Sequence, residues 1–204
     1  MIKKRQKDVW NKVYSKYTPA ELPWFNLKFP KEVTKWISAL DKNTTMIIPG
    51  CGFGDTAGVL SKMGFRKIMG TDISKKATAG ARKRFPKLKF KTVETEKLNQ
   101  ERYANANIFD WLNFHHINRK NIRAYLFSLQ KICNTLILAY IFEPELGKKR
   151  NSYITGEKVY NHNPADVIKI LDKLTQKKKL TFEFKINPKF GNKKHKAVAF
   201  MFIK

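Results

Sequence analysis

The first part of the chain repeats apolar positions with the period of an α-helix. Residues 5–17, RQKDVWNKVYSKY, and residues 31–40, KEVTKWISAL, place aromatic and aliphatic side chains three or four positions apart. This spacing predicts an amphipathic helix in each segment. The stretch between them, TPAELPWFNLKFP, contains three prolines and predicts a loop. We therefore expect residues 1–44 to form a helical segment that caps the rest of the chain.

From residue 45 onward, short apolar runs alternate with stretches of helical spacing. The strand candidates are residues 45–48, 67–70, 89–93, 104–109 and 136–142. The helix candidates are residues 55–64, 75–85 and 119–132, followed by ADVIKILDKL after Pro164. This alternation is typical of an α/β protein with a mainly parallel sheet.

The C-terminal part changes to an alternating pattern. LTFEFKI and AVAFMFI flank NPKFGNKKHK and predict an antiparallel hairpin at a sheet edge. No linker or internal repeat divides the chain. We therefore expect residues 1–204 to form one domain, with residues 45–204 as its core.

The charge of the chain is strongly positive. Lysine and arginine total 42 against 16 acidic residues, a formal net charge of +26, which attracts nucleic acid, anionic membranes or acidic substrates. The excess is mostly lysine, spread in clusters such as Lys177 to Lys179, and arginine is the better reader of phosphates and bases. The pattern favours a compositional bias over a dedicated nucleic-acid surface, and it leaves an anionic small substrate open.

The cysteines and the N-terminus indicate the compartment. Cys51 and Cys133 are the two cysteines, and their placement suggests neither a disulfide nor a metal-binding pair. The N-terminal MIKKRQKDVW is charged where a signal peptide is apolar, and no apolar run approaches the length of a membrane span. We therefore expect a soluble protein of the reducing cytoplasm.

A glycine cluster follows the first strand candidate. Gly50, Gly52 and Gly54 alternate in PGCGFGD, and Asp72 stands at the end of the next strand candidate. Glycine permits a tight turn and close approach of a ligand, and an acid at that strand tip can accept the hydroxyl protons of a ribose. Asp55 directly follows the cluster, where an acid would repel a pyrophosphate. A dinucleotide site also uses a glycine turn and a later acid, but the pattern favours a ribose-bearing ligand with a cationic centre and no phosphate.

S-adenosylmethionine has these properties. IIPGCGFGDTAGVLSKMGFRKIMGTDIS resembles the first two motifs of class I S-adenosylmethionine-dependent methyltransferases. PGCGFG with GTDIS is similar to the branch of thiopurine S-methyltransferase-like and related small-molecule enzymes. VWNKVYSKY and LPWF, with Trp24, are similar to the segment that covers the cofactor in that branch. The resemblance implies a Rossmann-like fold, in which a mostly parallel seven-stranded sheet ends in an antiparallel hairpin and carries helices on both faces.

The resemblance also implies roles for individual residues. Those that would line the methionine part of the cofactor are Gly50, Cys51, Gly52 and Gly54. Asp72 would hold the ribose and Ile73 would flank the adenine. Glu94 occupies the position of an acid near the adenine amine, with Glu96 as a competing candidate. Asp110 occupies the fourth-motif position beside the transferred methyl group.

The stretch DWLNFHHI, residues 110–117, bears on the chemistry of transfer. Methyl transfer is an in-line displacement that depends mostly on positioning, and a base is needed only when the acceptor must lose a proton. Asp110 and His115 are the catalytic candidates, although a structural role for His115 stays open and is favoured for His116. No third ligand with suitable spacing accompanies the histidine pair, so the sequence predicts no metal site.

The long loop before Pro164 supplies polar and aromatic side chains. Tyr153, Tyr160, Asn161 and His162 are candidates for covering an acceptor pocket, and an ordinary polar loop is an equally good interpretation. The leading hypothesis is a methyltransferase for a small acceptor, and the net charge suggests an anionic one. The alternatives are an RNA or ribonucleoprotein methyltransferase that uses its basic surface, and a binding protein that keeps the fold without transfer.

Overall fold

The computed structural model describes residues 6–26, 28–95, 97–98, 103–143, 145, 149–152, 158–190 and 194–204. Within these ranges the helices are α1 (Gln6–Lys16), α2 (Lys31–Ser38), α3 (Asp55–Lys62), α4 (Lys75–Arg84), α5 (Ile122–Ile132) and α6 (Pro164–Ile170). The strands are β1 (Met46–Pro49), β2 (Ile68–Asp72), β3 (Lys89–Thr92), β4 (Ala106–Trp111), β5 (Cys133–Ile141), β6 (Lys149–Asn151), β7 (Lys158–Tyr160), β8 (Thr175–Lys185) and β9 (Lys194–Ile203).

Seven of these strands form one sheet in the order β3-β2-β1-β4-β5-β9-β8. The pairs from β3 to β5 are parallel, whereas β9 runs antiparallel to both β5 and β8. β6 and β7 form a separate antiparallel ribbon. The predicted fold, a mostly parallel seven-stranded sheet with a C-terminal antiparallel hairpin, is confirmed.

The sheet has helices on both faces because its central strands are apolar on both sides. In β1, Ile47 packs into the same cluster as residues of α5 and α6. Its neighbours Met46 and Ile48 point the other way and pack with residues of α2, α3 and α4. α1 packs elsewhere: its Val13 and Tyr14 form a third cluster with Phe53 of the glycine-rich turn.

Two C-terminal boundaries differ from the sequence prediction. α6 ends at Ile170, and β8 begins at Thr175 and runs through Lys177 to Lys179. The sequence pattern missed the first half of β8 because it has no apolar alternation. An edge strand needs no buried face, since β9 satisfies one side of its backbone, and charged side chains on an edge discourage pairing with other chains.

No helix in the described part of the chain combines the length and the apolar character needed to cross a membrane.

Candidate active site

A pocket lies at the carboxyl edge of the parallel strands, where the strand order reverses between β1 and β4. Ligands of open α/β sheets bind at such a switch point because the connections leave the sheet in opposite directions. The pocket walls come from the turn after β1, the ends of β2 and β3, the segment after β4, and the N-terminal segment. Its free volume is about 100 Å³.

The turn after β1 has the backbone conformation that its glycines allow. Gly50, Gly52 and Gly54 have φ angles of +61°, +54° and +85°, all in the left-handed region. A Cβ at Gly50 would lie 2.3 Å from Asn113 Oδ1, and a Cβ at Gly52 would lie 2.8 Å from the Tyr14 hydroxyl. The turn is therefore constrained both by its own backbone and by side chains from two distant parts of the chain.

We expect Gly50→Ala to destabilise the fold by roughly 2–4 kcal/mol, because it adds left-handed strain and a clash with Asn113. Gly64→Ala is the matched control, since Gly64 also has a positive φ, +95°, but a Cβ there meets open space. Chemical denaturation of both variants measures the difference. Equal losses would show that backbone strain alone accounts for the glycine at position 50.

Asp72 lies at the tip of β2 beside this turn and is 5% exposed. Its Oδ2 accepts a hydrogen bond from Gly52 N at 3.0 Å, and its Oδ1 accepts one from Ser74 N at 2.8 Å. Burial raises the pKa of Asp72 to about 6, against the opposing effect of these two hydrogen bonds. The carboxylate is therefore ionised at neutral pH and joins the glycine turn to the end of β2.

Asp55 begins α3 and also lines the pocket. Its Oδ1 accepts a hydrogen bond from Arg84 Nη2 at 2.7 Å, while Arg84 Nη1 donates to the carbonyl oxygen of Phe53 at 2.9 Å. This pairing compensates the charge of Asp55 and ties α4 to the glycine-rich turn. The acid at the helix start still disfavours a phosphate there, in agreement with the interpretation of the sequence.

Aromatic side chains of the N-terminal segment cover the pocket. Trp10, Tyr14 and Trp24 pack together with ring centroids 5.9 to 6.3 Å apart. Trp10 also packs edge-on against His116 at 4.9 Å, and Tyr14 against Phe53 at 4.9 Å. Trp24 thus lies in the pocket wall, as the resemblance implied, and the same wall includes Trp10 and Tyr14.

The segment after β4 forms the opposite wall. Asp110 is fully buried and accepts hydrogen bonds from the Tyr125 hydroxyl and from Asn113 N, the latter at 3.3 Å. Burial raises the pKa of Asp110 to about 7, although these hydrogen bonds favour its charged form. Asn113, not Asp110, lines the pocket. Asp110 therefore lies behind the pocket wall and holds Asn113, which forms part of that wall.

The two histidines have different environments. Both belong to a 3₁₀ turn, Phe114–His116, in which His115 is buried and His116 lines the pocket. The sequence favoured His115 as the catalytic candidate, whereas the structure brings only His116 to the pocket. Just before this turn, Leu112 has a φ of +59°, a left-handed conformation that is uncommon for leucine and re-aims the chain after β4.

The remaining sequence candidates lie at different distances from the pocket. Cys51 and Ile73 line it, as do Gly50 and Asp72. Glu94 is exposed, forms an ion pair with Lys97 at 2.7 Å, and is not part of the wall. Thr95, which the sequence analysis did not consider, is buried and takes this place in the lining. Glu96 lies outside the described residues.

The loop candidates support the wall from behind. Asn161 accepts from Glu143 N at 3.2 Å and donates to Glu143 O at 2.7 Å, and His162 Nε2 donates to Ile117 O at 3.0 Å. Burial lowers the pKa of His162 to about 4, so its ring is neutral at physiological pH. Tyr160 packs on His162, and Tyr153 lies outside the described residues.

Sequence reasoning missed Tyr14 and Asn113 as individual wall residues. Tyr14 lies against Gly52, although 38 positions in sequence separate the two residues. Asn113 comes 61 positions after Gly52 and lies against Gly50 of the same turn. Apolar spacing marks Tyr14 only as part of a helix face, and nothing local to Asn113 distinguishes it. The described residues contain no group of three His, Cys, Asp or Glu side chains that could hold a metal ion.

A fold with a glycine turn after β1, an acid at the end of β2 and a pocket at the β1/β4 switch point defines the class I methyltransferase arrangement. Residues 49–135 match the methyltransferase domain family. This stretch contains the glycine turn, Asp72 and the segment after β4. No curated protein matches the chain.

Solved structures share the fold over nearly the whole chain. A SAM-dependent methyltransferase from Anabaena variabilis has a TM-score of 0.79 and 17% identity, with 98% of this chain and 96% of that chain covered. Magnesium protoporphyrin IX methyltransferase from Synechocystis, solved with bound SAM, has a TM-score of 0.71 and 15% identity, with 100% of both chains covered. A structure described for the conversion of a disulfide bond into a thioacetal group in echinomycin biosynthesis has a TM-score of 0.76 and 17% identity, with 98% and 93% covered.

The domain match and the fold confirm three predictions. The chain has the class I methyltransferase fold, it is an enzyme, and its cofactor is S-adenosylmethionine. The comparisons do not single out the thiopurine S-methyltransferase-like branch. Identities this low show the shared fold and leave the acceptor to be inferred from the pocket.

Proposed function

We propose that the protein transfers a methyl group from S-adenosylmethionine to a small acceptor. The observation that carries this proposal is the aromatic cover: Trp10, Tyr14 and Trp24 close over the glycine turn and leave a free volume of about 100 Å³. A site closed in this way excludes water and admits a compact molecule more readily than a folded macromolecule.

The residues present fit the cofactor. The carboxylate of Asp72 would accept the ribose hydroxyls, Ile73 and Thr95 would flank the adenine, and the backbone from Gly50 to Gly52 would hold the methionine part. When bound, S-adenosylmethionine supplies a methyl group on a sulfonium. The ring faces of Trp10 and Tyr14 suit a cationic centre, since aromatic faces attract cations.

Binding requires the cover to move. Ligand pockets are typically 300–1,000 Å³, roughly three times or more the free volume seen here. The Tyr14 hydroxyl occupies the space next to the turn, since a Cβ added at Gly52 would lie only 2.8 Å from it. α1 is attached nearby by a hydrogen bond from Ser74 Oγ to Asn11 Oδ1 at 2.8 Å. We expect Tyr14 and α1 to shift outward when the cofactor enters.

The walls indicate how the acceptor is recognised. Trp111, Leu112 and Ile117 provide apolar surface, and no lysine or arginine lines the described part of the pocket. The net charge of +26 suggested an anionic acceptor, but none of that charge belongs to the described residues that line the pocket. We therefore propose an acceptor that is recognised through apolar or planar faces rather than through a negative charge.

Proton removal, where the acceptor needs it, falls to His116. Its ring lines the pocket and packs against Trp10. Asp110 is a positioning residue in this proposal, because it holds Asn113 through the backbone N–H and the side chain. His115 supports the same turn from inside the core.

The test is turnover with sorted acceptor pools. We expect S-adenosylhomocysteine to form with a pool of small thiols, phenols and amines, and not with total RNA. His116→Asn should lower kcat roughly a hundredfold with an acceptor that loses a proton, while KM for S-adenosylmethionine stays unchanged. Mass spectrometry of the product identifies the methylated atom.

The control separates the two histidines. His115→Asn should lower thermal stability because His115 is buried, and its effect on kcat should follow the fraction of folded enzyme. Transfer to RNA alone would contradict a small acceptor. A kcat that falls only in His115→Asn would overturn the role given to His116.

A further inference from the structure

A second concavity, separate from the methyl-transfer pocket, lies between α5 and α6. It has a volume of about 840 Å³. Its lining includes five charged side chains and one aromatic side chain: Arg119, Arg123, Phe127, Asp166, Lys169 and Lys173. The methyl-transfer chemistry described above uses none of them.

One wall of this groove carries a repeating stripe. Arg123, Phe127 and Lys131 follow one another at intervals of four residues and are exposed, so they lie one above the other on one side of α5, and Arg119 precedes them in the turn before the helix. Phe127 is 46% exposed, which is unusual for a phenylalanine ring. The ammonium of Lys131 lies 4.6 Å from its centroid. The stripe therefore offers an aromatic face between cationic groups.

The opposite wall adds charge of the same sign. Lys169 and Lys173 on and after α6 face the groove, together with Asp166 and Asp172. Asp172 already accepts a hydrogen bond from Gln130 Nε2 at 3.1 Å. The groove lining thus contains four cations, from both walls, and two carboxylates, which favours an anionic occupant with some hydrogen-bond donors.

We propose that this groove binds a segment of single-stranded RNA. A base would stack on Phe127, and the phosphates on either side would pair with Arg123 and the lysines of α6. Aromatic side chains within a basic groove are the usual means of binding single strands, because every base has a face that stacks. The carboxylates of Asp166 and Asp172 would accept hydrogen bonds from 2′-hydroxyl groups, which favours RNA over DNA.

The groove adjoins the segment that follows β4. His162 lines the groove, and its Nε2 donates to the carbonyl oxygen of Ile117, which lines the methyl-transfer pocket. Arg119, at the near end of the stripe, is two residues from Ile117 and donates to Asn161 O at 3.5 Å. RNA bound in this groove need not be methylated, so its binding is compatible with a small acceptor in the methyl-transfer pocket.

The experiment uses the full chain and a fluorescein-labelled mixed-sequence dodecamer RNA. Fluorescence anisotropy across a salt series should show binding whose affinity falls as salt rises, since phosphate contacts release counterions. Phe127→Ala should weaken binding roughly tenfold at every salt concentration. Lys169→Ala/Lys173→Ala should make the slope of log affinity against log salt concentration shallower by about 1.4, since each phosphate contact on a single strand contributes about 0.7.

The chain offers matched controls for both changes. Val59→Ala removes a second large hydrophobic side chain that is exposed among the described residues, on α3 in the opposite layer. Lys87→Ala/Lys89→Ala removes two exposed lysines, one just before the far edge strand β3 and one at its first residue. Equal losses in test and control variants would overturn the groove and indicate diffuse attraction by net charge. Equal affinity for DNA of the same sequence would overturn the preference for RNA.

Discussion

Asp72→Ala is expected to raise the dissociation constant for S-adenosylmethionine at least roughly a hundredfold. Hydrogen bonds to a charged group contribute about 1.5–3 kcal/mol each, and the carboxylate would accept two from the ribose. The variant also loses the hydrogen bonds from Gly52 N and Ser74 N, which join the glycine turn to the end of β2. Calorimetric titration with S-adenosylmethionine and S-adenosylhomocysteine measures the effect, with NAD as a ligand that should not bind.

Glu94→Ala is the matched control. Both acids were assigned to the cofactor by resemblance, but Glu94 is exposed and paired with Lys97. We expect its removal to change the dissociation constant less than about threefold, because exposed ion pairs contribute little. Thermal unfolding of both variants accounts for any loss of folded protein. Tight binding by Asp72→Ala, or an equal loss in Glu94→Ala, would contradict the role of Asp72.

The same carboxylate gives binding a dependence on pH. The pKa of Asp72 is raised by burial to about 6, so the acceptor of the ribose protons is lost as pH falls through that value. Well below pH 6, the affinity of the unmodified protein should fall about tenfold per pH unit. Asp72→Ala should lack this dependence.

The glycine turn and the acid at the end of β2 could be predicted because short sequence motifs specify both of them. A tight turn needs glycine at fixed positions, and the carboxyl ends of neighbouring parallel strands meet at one edge of the sheet. Asp72 therefore had to lie near Gly52 once the two strands were recognised, and the hydrogen bond between them is the result.

Other parts of the site depend on contacts that the sequence does not encode locally. Asn113 reaches the pocket because a left-handed residue at Leu112 redirects the chain after β4. The choice between His115 and His116 depends on the orientation of one short 3₁₀ turn, which residue type does not determine. The place of Tyr14 depends on how α1 packs across the finished sheet.

The pattern of charges along the sequence predicted neither the lysine-rich edge strand nor the basic groove. Lys177 to Lys179 suggested only compositional bias, yet they form part of an edge strand that the apolar pattern had not predicted. The basic residues of the α5/α6 groove are scattered in sequence and gather only in the folded chain. Net charge alone therefore favoured compositional bias, and the groove proposed above to bind RNA could be recognised only in the folded chain.

Asp110→Asn is expected to change the dependence of stability on pH strongly between pH 4 and pH 7. Asp110 is fully buried, and its pKa is raised from 3.8 to about 7, mainly by burial. The folded state therefore holds a proton that the unfolded state has released between about pH 4 and pH 7. The free energy of unfolding must fall as pH rises through this range, by roughly 4 kcal/mol in total for this group.

The measurement is urea denaturation of the unmodified protein and Asp110→Asn from pH 5 to pH 8. The difference between their free energies of unfolding should shift by about 2–3 kcal/mol in favour of the variant over that range. Asp72, whose pKa is raised in the same direction, contributes equally to both proteins and cancels. Curves that stay parallel would show that Asp110 titrates alike in the folded and unfolded states.

Tyr125→Phe tests the opposing contribution to the pKa of Asp110, that of hydrogen bonding. The Tyr125 hydroxyl donates to Asp110 and favours its charged form, so it opposes the effect of burial. Its removal should raise the pKa of Asp110 further and extend the loss of stability to higher pH. Because Asp110 also holds Asn113 N at 3.3 Å, the proton on this carboxyl couples the stability of the core to the wall of the pocket. Cofactor affinity of Tyr125→Phe should therefore vary with pH in the range where its stability does.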